Sequence, residues 1–169
     1  MKKYVFLAFF ALLALVVKAQ DESGDLVKVG QQMPAFTIVN DNGTQVPSSS
    51  LKRKVILVNF FATWCPPCQK ELAEVQKMLW PKYKDNKDFV LLVIGREHTD
   101  VELQKYNEKK GFTFPLYPDK NRAIYGAFAK NLIPRSYLVD KTGKVVYATK
   151  GYSDEEFAEL MKRIEAALK

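Results

Sequence analysis

The feature that most constrains this chain is an apolar run that leads into a pair of cysteines. From Val55 to Phe61 the only polar residue is Asn59. A short, uninterrupted apolar run is the pattern of a strand buried on both faces in an α/β sheet. Just beyond it stands Trp64-Cys65-Pro66-Pro67-Cys68, and the chain has no other cysteine. From Pro67 onward Cys68, Leu72, Val75 and Leu79 recur at helical spacing, so the motif opens a helix that lays one stripe on the sheet. Pro81 is expected to end or kink that helix.

Two thiols at a strand-to-helix junction predict a chemistry. Unpaired N–H groups and the helix dipole favour an anion at a helix start, so a Cys65 thiolate is stabilised relative to an ordinary thiol. Cys65 is therefore the expected nucleophile. Pro66 and Pro67 are preorganised for helix entry and leave no N–H unsatisfied. Cys68, one turn on, can attack a mixed disulfide formed on Cys65, which makes it the expected resolving thiol. A structural disulfide is the alternative in an oxidising compartment, although so short a ring gains little chain entropy. A zinc site needs about four ligands, and the only histidine is His98. Covalent haem attachment needs a histidine directly after the second cysteine, where Gln69 stands. No metal or other cofactor is expected.

The 169 residues suffice for one domain. An N-terminal hairpin is expected from 35–39 and 44–47 around Asn42-Gly43. A second buried strand covers Phe89 to Ile94. Thr99 to Glu102 reads as a capping box for a helix that stops at Gly111. Phe114 to Tyr117 and a short helix from Arg122 to Phe128 are expected as a small central insertion. A closing hairpin joins 136–140 to 145–149. Ser153 caps a last helix with Phe157, Leu160, Met161, Ile164 and Leu168 on one face. The order β-α-β-α-β-β-α implies an α/β fold, a mixed central sheet with helices on both faces.

The N-terminus reads differently. Lys2-Lys3 precede an uncharged stretch from Tyr4 to Val17, and Val17-Lys18-Ala19 fits a small-x-small cleavage site. Residues 1–19 are thus expected as a signal peptide, 20–27 as an N-terminal tail and 28–169 as the domain. The protein is placed in the periplasm or another extracytoplasmic compartment, with tethering by an uncleaved segment as the alternative. Loss of Lys2, Lys3 and Lys18 lowers the basic count from 26 to 23 against 19 acidic residues, a net +4. The basic residues are interleaved with acidic ones, so no nucleic-acid partner is expected. No long apolar surface helix demands a partner subunit, and a monomer is expected.

Val58 to Cys68, the segment Gly30 to Phe36, and Ile133-Pro134 before a strand resemble the TlpA/ResA/CcmG-like branch of the thioredoxin superfamily. The resemblance spans residues 28 to 168 and implies a thioredoxin-like fold and an exported thiol-disulfide oxidoreductase with a redox-active Cys65–Cys68 disulfide. It further implies a cis Ile133–Pro134 bond facing the cysteines, with the backbone there and Trp64 forming the surface that docks a substrate peptide. Asn59 stands where thioredoxins proper carry a buried Asp. Glu71 matches a glutamate used near the cysteines and is placed at the edge of the Leu72 and Val75 stripe, as a proton relay to Cys68. With Pro66 and Pro67 between the cysteines, and no histidine there to hold a thiolate, the expected direction is reduction. A membrane thiol donor would reduce this protein, which would reduce disulfides of exported proteins, apocytochromes c among them. A disulfide isomerase or general oxidant is the alternative within the class, and a redox-idle peptide-binding module the alternative outside it. Arg96, Glu97 and His98 either border the active site or form a polar turn, and the turn is the expectation here.

Overall fold

The computed structural model describes residues 24–40 and 42–169. The expected signal peptide lies outside the described residues. Strands β1 (Thr37–Val39) and β2 (Gln45–Pro47) form the antiparallel hairpin expected around Asn42-Gly43. Next come β3 (Val55–Phe61), α1 (Pro66–Glu74), a π-helical turn (Val75–Leu79), α2 (Trp80–Tyr83) and β4 (Phe89–Arg96). Then follow α3 (Asp100–Lys110), β5 (Leu116–Asp119), α4 (Ala123–Phe128), β6 (Arg135–Val139), β7 (Val145–Lys150) and α5 (Asp154–Leu168).

The main sheet has the order β5-β4-β3-β6-β7. β3, β4 and β5 run parallel, whereas β6 pairs antiparallel with both β3 and β7. β3 is central and buried at every position, as its unbroken apolar sequence requires. Alternate side chains go to opposite faces. Val55, Leu57 and Phe61 pack with Cys68, Leu72, Val75 and Leu79 of the helix after the motif and with Leu103, Phe157, Leu160 and Ile164 of α3 and α5. Ile56, Val58 and Phe60 pack with Ile124, Tyr125 and Phe128 of α4 and with Ile38 of the hairpin. Helices thus cover both faces. Asn59 shares the α1-facing side with Leu57 and Phe61, and its register partner on β6 is Ser136.

The capping box on α3 is complete: Glu102 N–H donates to Thr99 Oγ1 at 3.3 Å, and Glu102 Oε2 accepts from Thr99 N–H at 2.7 Å. Gly111 ends that helix at φ 67°, a conformation glycine adopts without Cβ strain.

The structure refines the sequence reading at three points. Pro81 does not end the helix; of the two expected outcomes, the local irregularity is the one that forms, as the turn before it opens to a π turn that accommodates the missing N–H, and the helix runs on to Tyr83. The added strand is β5 at Leu116–Asp119 rather than 114–117, because Phe114 is buried beside Phe112 and Trp80 instead of entering the sheet. The described end of the N-terminal tail is docked. Asp25 bridges Ala129, and the N–H groups of Leu26 and Val27 donate to Phe128 O at 2.9 and 3.2 Å. The Asp25 carboxylate pairs with the fully buried Arg135 and lies 3.4 Å from Lys150 Nζ. Residues 25–27 of the expected tail are thus packed against the end of α4 and against β6.

Candidate active site

β3 delivers the chain to Ala62, and a tight turn, Cys65 N–H to Ala62 O at 3.1 Å, reverses it into α1. Cys65 is the N-cap of α1, in extended conformation, and Pro66 and Pro67 occupy the first helical positions. This is the arrangement in which proline leaves no donor unsatisfied. Cys65 and Cys68 form a disulfide with Cα atoms 5.3 Å apart. Cys65 Sγ accepts the Cys68 backbone N–H at 3.3 Å, so the sulfur sits on the unpaired amides of the helix start. The two sulfurs differ in setting: Cys65 is 4% exposed and Cys68 fully buried. An attacking group from outside therefore meets Cys65 first.

The loop before β6 faces this pair. The Ile133–Pro134 peptide is cis, and the Ile133 carbonyl oxygen lies 3.8 Å from Cys65 Sγ. Leu132, at φ 66° and 58% exposed, has its carbonyl held by the Tyr125 hydroxyl at 2.7 Å. Trp64 is 62% exposed and so stands outside the core. Trp64, Leu132 and the two prolines thus border the disulfide at the surface.

Behind Cys68 lies a buried polar cluster. Glu71 belongs with the core and not at its edge: it is 3% exposed and reaches the side chains that β3 and β6 turn toward α1. Asn59 Nδ2 donates to Glu71 Oε2 at 2.8 Å and to Ser136 Oγ at 2.9 Å, and Ser136 Oγ donates to Glu71 Oε1 at 3.0 Å. Burial pushes the Glu71 carboxyl up to about 7; the Asn59 and Ser136 bonds oppose that, and nearby Glu156 adds to it. A carboxyl so poised exchanges protons near neutral pH. Ser136 escaped the sequence reading, although its place opposite Asn59 follows once β3 and β6 are paired.

His98 corrects a second expectation. The segment Arg96-Glu97-His98 is not merely a polar turn: His98 is 6% exposed, and its Nε2 accepts the Thr63 N–H at 3.0 Å. It therefore borders the cysteine turn. Arg96 and Glu97 point elsewhere, paired with each other at 2.9 Å, with Arg96 over the Tyr125 ring. Among the described residues no group of three His, Cys, Asp or Glu side chains could hold a metal ion, and no helix is long and apolar enough to cross a membrane.

Comparison with known proteins agrees with this geometry. Residues 28–165 match the family model described as Redoxin. The chain is 32% identical over 130 residues to the thiol-disulfide oxidoreductase ResA of Bacillus thuringiensis (strain Al Hakam), covering 77% of this chain and 74% of that protein. The solution structure of a putative protein disulfide isomerase from Bacteroides thetaiotaomicron superposes with a TM-score of 0.82 at 38% identity, covering 86% and 92% of the two chains. A putative thiol:disulfide interchange protein DsbE from Chlorobium tepidum superposes with a TM-score of 0.72 at 25% identity, covering 85% and 99%. The chain belongs to the redoxin family of the thioredoxin superfamily and is a ResA-like thiol-disulfide oxidoreductase.

Proposed function

We propose that this oxidoreductase is an extracytoplasmic reductant of disulfides in exported proteins, apocytochromes c among them, with Cys65 as nucleophile and Cys68 as resolving thiol. The observation that carries the reading is the unequal setting of the two sulfurs: Cys65 on the helix N-terminus beside the cis-proline loop, Cys68 buried behind it. In the reduced protein the Cys65 thiolate attacks one sulfur of a client disulfide and expels the other as a thiolate. The Cys68 thiolate then attacks the Cys65 sulfur, the client's remaining sulfur leaves as a thiolate, and the Cys65–Cys68 disulfide closes. Two electrons pass to the client, and an external dithiol, a membrane donor in this reading, restores the pair.

Glu71 takes the proton that Cys68 must lose. Its position one helical turn from Cys68 and its carboxyl near 7 suit that task. Trp64, Ile133 and Pro134 dock the client backbone. Pro66 and Pro67 stiffen the turn without adding a charge or donor to hold a thiolate, which favours a reductant. The uncharged N-terminal stretch supports export, with residues 1–19 as signal peptide.

Equilibration with glutathione buffers tests the direction. The reading expects a potential near the thioredoxin value of about −270 mV; one near the strong-oxidant value of about −120 mV refutes it. The name of the Bacteroides thetaiotaomicron relative favours isomerisation as a second reading. Rescue of a scrambled disulfide protein by Cys68→Ser as well as by wild type would select it, because isomerisation can proceed through Cys65 alone.

A further inference from the structure

Thr63 is held through both of its backbone polar groups. Its N–H donates to His98 Nε2 at 3.0 Å, and its carbonyl accepts from Gln69 Nε2 at 2.8 Å. Gln69 is itself held, its Oε1 accepting from Lys110 Nζ at 3.0 Å. The next two residues are Trp64 and Cys65. Trp64 is largely in solvent, so its burial contributes little to fixing this turn, and the clamp on Thr63 adds to the Cys65 N–H bond to Ala62 O in locating it.

His98 is placed for the purpose. Glu97, at φ 64°, turns the chain after β4, and its N–H is fixed on Asp119 O at 3.0 Å. The His98 N–H returns to Gly95 O at 3.1 Å, and its ring lies against Phe61 at 6.4 Å. A Cβ on Gly95 would stand 3.3 Å from His98 Cβ and 2.7 Å from Leu103 Cδ2, so the strand end is small where the histidine comes close. An Nε2 that accepts a bond carries no proton, which assigns the proton to Nδ1. Nδ1 lies 3.9 Å from Glu102 Oε2 on α3. The other charged groups nearby are Glu97, paired with Arg96 on the same segment, and Lys110 beyond Gln69; β3 offers Phe61, and α1 offers neutral Gln69.

We propose that His98 is a positioning residue for the thiol-disulfide reaction: as a neutral imidazole it fixes the Thr63 peptide and with it the Trp64-Cys65 turn, and protonation releases the turn. The inference rests on Cys65 being the attacking sulfur. A proton on Nε2 would set donor against donor and break the bond to Thr63. Burial lowers the histidine's pKa, which Glu102 and Glu97 partly offset, so the clamp stays closed at neutral pH and opens in acid.

The test uses His98→Gln, whose Oε1 reaches the place of Nε2 and accepts without titrating, and His98→Phe, which keeps a ring and lacks the acceptor. In the wild type the Thr63 amide resonance should follow the His98 titration, with a midpoint below about 6.5, and stay flat in His98→Gln. At pH 7.5 insulin reduction should be within about twofold of wild type in His98→Gln and about two- to tenfold slower in His98→Phe. In mild acid the wild type should lose rate relative to His98→Gln; the Cys65 thiolate titrates in both, so it cancels in that comparison. A Thr63 amide indifferent to the His98 titration overturns the proposal, as does a His98→Phe protein with the wild-type rate and pH profile. If His98→Phe does not fold, the Thr63 resonance and the glutamine variant still decide. A wild type unable to reduce insulin would refute the redox reading instead, and the Thr63 amide would still test the clamp.

Discussion

Replacing Glu71 by Gln isolates the cost of a charge held inside this fold. In the unfolded chain the carboxyl ionises near 4.5, in the folded protein near 7, chiefly because of burial. Below pH 4.5 it is protonated in both states and costs nothing. Above pH 7 it is ionised in both, and the fold bears the cost of keeping the anion from water. Stability contributed by this group is therefore full at acid pH, is lost as pH rises from about 4.5 through about 7, and changes no further above that. At about 1.36 kcal/mol per pH unit, the gap between the two values is on the order of 3 kcal/mol. Gln keeps the shape and the partners: its carbonyl can accept from Asn59 Nδ2, and its amide can donate to Ser136 Oγ, which turns to accept. Urea unfolding of the disulfide-bonded protein should find wild type and variant within about 1 kcal/mol at pH 4.5. At pH 8 the variant should be more stable by about 3 kcal/mol. Stability curves that stay parallel from pH 4.5 to pH 8 would refute the placement of a titrating carboxyl in this cluster.

Asp25→Ala should cost about 3 kcal/mol in urea unfolding at unchanged m-value, because it strips the carboxylate from the fully buried Arg135. Trp64→Ala should change stability by less than about 0.5 kcal/mol, since the ring is 62% exposed, yet slow the reduction of protein disulfides; equal loss in both measurements would return Trp64 to a structural role. Gly95→Ala should cost about 1–3 kcal/mol, since its Cβ would crowd Leu103 and His98, and should shift the Thr63 amide resonance.

What could be read in advance divides by the range of the forces involved. β3, the helix stripe after Cys68 and the caps at Thr99 and Ser153 are written in neighbouring residues, and each forms where its pattern lies. The place of Cys65 at a helix N-terminus follows from the same local signals. Glu71 was harder. Its spacing puts it beside the apolar stripe, but its burial depends on Asn59 and Ser136, which meet only when β3 pairs with β6. His98 depends on a contact between the ends of two parallel strands, and no local pattern distinguishes it from a turn. Asp25 and Arg135 pair across 110 residues of sequence. Pro81 marks the limit of propensity: a local rule forecasts an end or a kink, and which of the two forms is decided by packing, which carries the helix on past a wider turn.

The central claim is that Cys65 attacks and Cys68 resolves. Incubating the reduced Cys68→Ser and Cys65→Ser proteins with a disulfide-bonded peptide, and weighing the products, tests it directly. Cys68→Ser should accumulate one peptide adduct, mapped to Cys65, and release almost no reduced peptide beyond the first exchange. Cys65→Ser should remain unmodified over the same time. An adduct on Cys68 in the Cys65→Ser protein, formed as fast as the one on Cys65, would contradict the account.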